Sequence, residues 1–360
     1  SSARGVYFGA NKSHEIITSN TTSSALNITG QGYVALDFRG TNFSLISNGD
    51  QGAINIESIG LGSYATYYLA SSFNLLSKSG PINWLASADK LTYIGSGVDM
   101  WIGSKPNTSV LSSTSDIKFE AYNFDFNGSR PNIASSGTFS FVPATTDFAV
   151  NVQSSWFTYN QNNQILSGLL IGTQDVTKTV YVNSTLDVNG PVEVYGGQIN
   201  VNNNLNGTNS GSPILLKAKG DIIQAANTSL GSSSGTITLW SDNDATSGGG
   251  IWIKSGASIN SNSGDINLSG GTDYRTGYAK GTSNINSSIS GVLIEGAINS
   301  SGGAILIRGE MPSISAGSNI DGGSVYVISS ASINSGAGAI SIKGKISSDM
   351  NAIFSWNLCL

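Results

Sequence analysis

Residues 237–268 read Ile237-Thr-Leu-Trp-Ser-Asp-Asn-Asp-Ala-Thr-Ser-Gly-Gly-Gly-Ile251-Trp-Ile-Lys-Ser-Gly-Ala-Ser-Ile259-Asn-Ser-Asn-Ser-Gly-Asp-Ile266-Asn-Leu268. Three alternating triplets stand out: Ile237-Thr-Leu239, Ile251-Trp-Ile253 and Ile266-Asn-Leu268. In a strand, successive side chains point to opposite faces, so the first and third residues of each triplet share one face. The spacers are Ser, Gly, Asn and Asp, residues that make turns. The same triplet recurs outward as Ile199-Asn-Val201, Ile305-Leu-Ile307, Val325-Tyr-Val327 and Ile340-Ser-Ile342. Regular turns flank them: Ser263-Gly-Asp265, Ser301-Gly-Gly-Ala304, Asp321-Gly-Gly-Ser324 and Gly336-Ala-Gly-Ala339. A second half-motif lies between triplets, at Ser255–Ile259, Glu295–Ile298 and Ser330–Ile333.

Internal repetition over tens of residues signals a solenoid, propeller or array. Strands this short leave no room for alternating helices, and the four-stranded blades of a propeller are missing. The expected fold is therefore all-β, a parallel β-helix. The steps from Ile237 to Ile251 and from Ile251 to Ile266 are nearly equal. They predict two alternating strand types, each filling half a rung. Residues 1–165 are less regular. They carry strand-like segments at Tyr33–Phe38, Ala53–Ile56, Ile82–Leu85, Leu91–Ile94, Ile117–Phe126, Thr138–Val142 and Ala149–Val152. These read as degenerate rungs, with a separate sandwich as the alternative. The expected division is 1–165 irregular, 166–350 regular repeats and 351–360 a tail, with a soft boundary at Gln161–Gln164.

Composition narrows the function. Ser, Asn, Thr and Gly make up 166 of the 360 residues, and only 11% are charged. The net charge of −5 lacks the basic footprint of a nucleic-acid binder. Yet 39% apolar residues, with 13 Tyr, 12 Phe and 6 Trp, exceed what disordered chains carry. One Cys, Cys359, excludes an intrachain disulfide, and one His, His14, excludes His-rich metal sites. The sequence lacks the long unbroken apolar run that a membrane-spanning helix needs. The chain starts at Ser1 without a charged-then-apolar signal segment, and reads as a piece of something longer or a processed product.

A family likeness follows from particular stretches: Leu169-Leu-Ile-Gly172, Leu186-Asp-Val-Asn-Gly-Pro-Val-Glu-Val-Tyr-Gly-Gly-Gln-Ile-Asn-Val201, Ile214-Leu-Leu-Lys-Ala-Lys-Gly-Asp-Ile222, Ile237-Thr-Leu-Trp-Ser-Asp242 and Gly277-Tyr-Ala-Lys-Gly281. In this order, residues 137–345 resemble the repeat region of filamentous-haemagglutinin-like secreted bacterial adhesins. The resemblance implies a right-handed parallel β-helix, exported to the cell surface. It implies a non-enzymatic segment of a large secreted or surface-anchored protein, with no cofactor and with host-cell or surface glycans or proteins as partners. Residues 1–136 match only loosely.

Two other classes compete: a carbohydrate-active β-helix enzyme and a self-assembling surface or matrix protein. Glycoside hydrolysis needs two carboxylates at a set separation, one with a raised pKa. Asp221, Asp265, Asp273 and the pair Asp242 and Asp244 carry none of the polygalacturonase signatures. Asp242-Asn-Asp244 precedes Ala-Thr-Ser-Gly-Gly-Gly, so it reads as a turn whose carboxylates accept backbone N–H groups. Calcium repeats need Gly-Gly-x-Gly-x-Asp in register, and the Gly-Gly pairs here fail that pattern. Asn-x-Ser/Thr triplets at Asn27, Asn107, Asn183, Asn206, Asn227 and Asn299 read as rung corners, with side chains bonding between rungs.

Aromatic residues at outward positions are the remaining candidates for partner binding. Trp252 and Tyr326 sit at the centres of their triplets. Ser269–Gly291 is the longest interruption, and packs Tyr274, Arg275, Tyr278 and Lys280 close together. Tyr and Arg dominate binding hot spots. The competing reading is a decorated corner or an extra short rung.

Overall fold

The computed structural model describes all residues except 1–3, 10–11, 88–89, 284, 286–289, 313–322 and 348–360. The expected tail at 351–360, with Cys359, lies outside the described residues, as do Asp321 and Gly322 of one turn. Among the described residues the only helical element is a single 3-10 turn, Ser154–Trp156. The strands pair in parallel from the first rung to the last.

One long sheet runs the length of the molecule. It starts with Arg4–Phe8, Leu26–Phe38, Ile54–Tyr68 and Ile82–Ala86, and ends with Ile266–Gly270, Ile305–Met311 and Ile340–Ile346. Thr138–Val142 pairs with Gly168–Ile171, so the sheet crosses residue 165 without a break. The chain is a parallel β-helix. A second face stacks Val180–Val182, Ile199–Val201, Ile222–Gln224, Ile251–Ile253, Val292–Ile294 and Val325–Val327. A third stacks Leu186–Val188, Leu205–Ser210, Ser229–Ser233, Ser258–Asn260, Ala297–Asn299 and Ser332–Asn334.

The helix is thus three-sided, which corrects the expectation of two strand types. One turn passes from Ile237 on the long sheet to Ile251 on the second face, Ile259 on the third, and back to Ile266. The half-motif between triplets is this third face. Its strands are short, and in the later rungs a single apolar residue faces inward: Ile259, Ile298 and Ile333 stack in register.

The first half builds its three faces differently. Leu26–Phe38 and Ile54–Tyr68 each span a corner, with a register shift between Gly32 and Val34. Their later halves continue into Leu91–Ile94 and Asn123–Asp125. A five-stranded sheet of Ser13–Thr18, Asn42–Ser47, Ser72–Ser77, Asp99–Gly103 and Asn132–Ala134 closes the other side. Several strand boundaries differ from the sequence reading: Tyr33–Phe38 is the end of the longer Leu26–Phe38, and Ala53–Ile56 opens the longer Ile54–Tyr68. Ile117–Phe126 is two strands, Ile117–Glu120 and Asn123–Asp125, because the backbone bends between them at Tyr122. Of Ala149–Val152 only Val152 is in a strand, the two-residue Val152–Gln153.

The interior is a set of side-chain columns. Ile214, Ile237, Ile266 and Ile305 lie in register and are almost wholly buried. Ile340 and Ile342 continue the inward columns, in register with Ile305 and Ile307, and are 46% and 38% exposed. In the first half the columns are aromatic. Phe8, Phe38 and Tyr68 stack at 5.2 and 4.8 Å, and Trp84 meets Phe119 edge-on at 4.3 Å. The extra aromatic residues of this half are therefore mostly core.

Corners need donors and close backbone approach. Ser232, Ser261, Ser300 and Ser335 stand at the ends of successive third-face strands and are buried. Each hydroxyl donates to a backbone carbonyl, as Ser300 does to Gly303 at 2.5 Å and Ser335 to Gly338 at 2.6 Å. Buried polar groups are costly unless bonded, and Ser supplies the bond at minimal volume. Three positions after each Ser stands Gly235, Gly264, Gly303 or Gly338. A Cβ on Gly303 would collide with the Gly264 carbonyl oxygen, so only glycine permits this spacing. Outside, the expected asparagine bonds between rungs are present. Asn83 donates to Asn55 at 2.8 Å, and Asn55 to Asn27 at 2.7 Å. Asn202 donates to Asn183 at 2.8 Å.

Candidate functional site

The Ser269–Gly291 excursion begins where Ile266–Gly270 ends. Asp273 shapes its turn: the carboxylate accepts the Arg275 N–H at 3.0 Å and the Thr276 hydroxyl at 3.1 Å. The backbone then re-enters the long sheet as Ala279–Lys280, which pairs with Gly309 and Glu310. Ala279 is fully buried. Residues 271–278 are therefore a loop anchored in the long sheet at both ends, and after residue 280 the chain goes on to Val292–Ile294 on the second face.

Both tyrosines are half-buried against this sheet. Tyr274 packs on Trp240 with ring centroids 5.4 Å apart, and the Arg275 guanidinium lies 5.0 Å over the Tyr274 ring. Trp240 donates its Nε1–H to the Gly271 carbonyl at 2.6 Å and carries Lys217 Nζ 4.0 Å over its ring. Burial pushes the Lys217 ammonium below the usual lysine range. Tyr278 lies beneath two cations, Arg308 at 5.7 Å and Lys345 at 5.9 Å. Arg308 also donates to the Thr276 carbonyl at 3.1 Å, tying the loop to the next strand. Lys345 pairs with Glu310 at 3.0 Å. The result is a patch rich in aromatic rings and cations on a chain of net charge −5. Cation–π contacts contribute about 0.5–1 kcal/mol each at exposed sites.

Trp252 and Tyr326 are on a different face. Both point outward on the second face, in register with Leu293 between them, and both are half-buried. Lys254 Nζ sits 4.4 Å over the Trp252 ring. The structure thus separates the candidates: Tyr274, Arg275, Tyr278 and Lys280 share one loop and its return, and Trp252 and Tyr326 lie around the corner. Trp240, Lys217, Arg308 and Lys345 complete the patch without any local motif. Strand register brings them there, and spacing along the chain does not reveal it.

The acidic residues behave as turn formers. Asp242 accepts the Gly248 N–H at 3.1 Å, and Asp244 accepts the Thr246 N–H at 3.2 Å. Burial pushes the Asp242 carboxyl up to about 6, while the Gly248 N–H bond pulls the other way. Asp221 accepts from the Gly250 N–H and the Thr282 hydroxyl, both at 2.8 Å.

A second outward row lies in the first half. Tyr7, Asp37, Tyr67, Tyr93 and Asp125 occupy successive rungs in register. Tyr67 and Tyr93 stack at 5.1 Å, and Tyr64 meets Tyr67 edge-on at 5.1 Å. Asp37 is wholly buried between two arginines, with Arg4 Nε at 2.6 Å and Arg39 Nε at 2.8 Å. The row has a sequence signal: Tyr7-Phe8, Asp37-Phe38 and Tyr67-Tyr68 recur at equal spacing, an outward residue before an inward ring.

No protein-family model, curated protein or solved structure matches this chain.

Proposed function

We propose that this chain is a non-enzymatic rod, a segment of a secreted or surface-anchored bacterial protein of the filamentous-haemagglutinin-like adhesin type. It holds the patch around Tyr274 and Tyr278 out for contact with host-cell or surface glycans or proteins. The observation that carries this reading is that patch: a loop anchored in a stiff sheet, with Tyr274 packed on Trp240 and cations over Tyr274 and Tyr278. Loops positioned by a rigid scaffold are where binding residues concentrate. The surrounding surface supports a mechanical role. Its exposed Asn side chains bond from rung to rung, and each rung rests on its neighbours as in other solenoids.

Replacing Tyr274 and Tyr278 together with Ser tests the proposal. Binding to cultured host cells should fall at least about tenfold, the range of hot-spot aromatic residues. The melting temperature should stay within a few degrees of the parent. Undiminished binding would end the claim for this patch. A collapse in melting temperature would make the tyrosines structural.

A further inference from the structure

We propose that the outward row from Tyr7 to Asp125, with the hollow beyond it, is a binding site for an uncharged oligosaccharide. This site is separate from the Tyr274 patch and does not depend on the adhesin reading. Outward tyrosines are not needed to fill the core, which Phe8, Phe38 and Tyr68 already occupy one residue further on. Yet Tyr7 is 45% exposed, and Tyr64, Tyr67 and Tyr93 are half-exposed, clustered into one group of rings.

The group is held rigid from below. Buried Asp37 fixes Arg4 and Arg39, and these guanidiniums lie 4.2 Å over Tyr7 and 5.0 Å over Tyr67. A carboxylate buried between two bonded cations locks their positions. Rings fixed in advance lose little side-chain entropy on binding.

The row ends in an open hollow of about 330 Å³. Asn123–Asp125 pairs back to Leu91–Ile94, while Val152–Gln153 pairs onward to Val180–Val182, and the hollow lies between these two strands. Phe124, Phe126 and Trp156 give it apolar walls, and Gln153, Ser155 and Arg130 give it hydrogen-bonding groups. Asn127 joins hollow and row by donating to the Tyr93 hydroxyl at 3.1 Å.

An aromatic surface with a few oriented donors and acceptors is what a sugar needs. Its C–H faces pack on rings, and its hydroxyls both donate and accept. Strands repeat about every 4.8 Å, so a linear glycan running along the row meets Tyr67 and Tyr93 on consecutive rungs and then the hollow. Charges of both signs line the site: Arg4 and Arg39 are bound to Asp37, and Arg130 shares the hollow with Asp125. An uncharged glycan suits this better than a uronic or sulfated one, in contrast to the cation-rich patch around Tyr278.

The test applies the full chain to immobilised oligosaccharides of glucose, mannose, xylose and N-acetylglucosamine, beside uronic and sulfated ones. At least one uncharged oligosaccharide should bind. Its affinity should fall tenfold or more in Tyr67→Ser/Tyr93→Ser, and should also fall in Arg130→Ala, an exposed change that spares the ring cluster. Tyr274→Ser/Tyr278→Ser should bind it as the parent does, which separates this site from the adhesive patch. The proposal is overturned if no uncharged oligosaccharide binds, if only acidic ones do, or if the folded row variants bind undiminished.

Discussion

Replacing Ile266 with Asp should cost several kcal/mol, the largest loss expected from any single change considered. Ile266 is fully buried, with Ile237 and Ile305 directly in register on either side. A carboxylate there has apolar neighbours in its own column, and an unpaired buried charge costs several kcal/mol or is relieved only by protonation. Ile305→Asp should behave alike, since Ile305 is 1% exposed. Ser341 is half-exposed and faces outward in the same sheet, so Ser341→Asp should cost within about half a kcal/mol. Urea titration followed by far-ultraviolet circular dichroism measures all three. Because each rung of a solenoid contacts only its neighbours, the two Ile variants should also broaden or split the transition. Equal losses at all three positions would reverse the assignment of inward and outward faces.

Trp84→Ala should cost about 3–5 kcal/mol, the usual range for truncating a buried aromatic residue. Trp84 is 1% exposed and touches Phe119 at 4.3 Å and Tyr68 at 5.3 Å, both edge-on. It therefore packs on Phe119, the next member of its own column, and across the interior on Tyr68 of the Phe8–Phe38–Tyr68 column. Its indole nitrogen is buried without a hydrogen-bond partner. Trp84→Phe retains most of the ring and removes that unpaired donor, so it should lose less than about 1.5 kcal/mol. Tryptophan fluorescence and circular dichroism during urea unfolding distinguish the two. Equal losses in Trp84→Ala and Trp84→Phe would contradict the assignment of the loss to burial of the ring.

The second half of the fold is legible because each inward position repeats a β-branched or Leu residue and each corner repeats Ser and Gly. Ile237, Ile251 and Ile266 announce strands directly. Ile259 conceals one, since a strand with a single inward residue has no alternation to detect. That is why three faces read as two. In the first half the inward residues are Phe, Tyr and Trp, so rings of different size break the triplet pattern while filling the same columns. The similar segments Asn42-Phe-Ser-Leu-Ile-Ser47 and Ser72-Phe-Asn-Leu-Leu-Ser77 lie on consecutive rungs and pair in register. Their apolar residues are adjacent, Leu45 with Ile46 and Leu75 with Leu76, so strict alternation fails there. Ile46 and Leu76 instead join a small outer cluster with Val110.

Candidate sites are legible only where chemistry is local. Tyr274, Arg275, Tyr278 and Lys280 share one short stretch and are visible as such. Their partners Trp240 and Arg308 come from neighbouring rungs, distant in the chain. The row Tyr7, Asp37, Tyr67, Tyr93 and Asp125 exists only once register is known. A solenoid writes its surface across the chain direction, and a single pass along the sequence does not read that way.

The stacking of rungs is tested most directly by distances between spin labels along one outward column. Lys118 is joined to Ser341 by eight consecutive in-register steps, passing Ser140, Leu170, Glu193, Leu215, Thr238, Asn267 and Leu306. At about 4.8 Å per step, labels at 118 and 341 should lie about 38 Å apart, and labels at 193 and 341 about 24 Å apart. A continuous parallel β-helix predicts both distances, growing in proportion to the rung count. A distance from 118 to 341 no longer than that from 193 to 341 would mean that the two halves fold back on each other, and would contradict the rod.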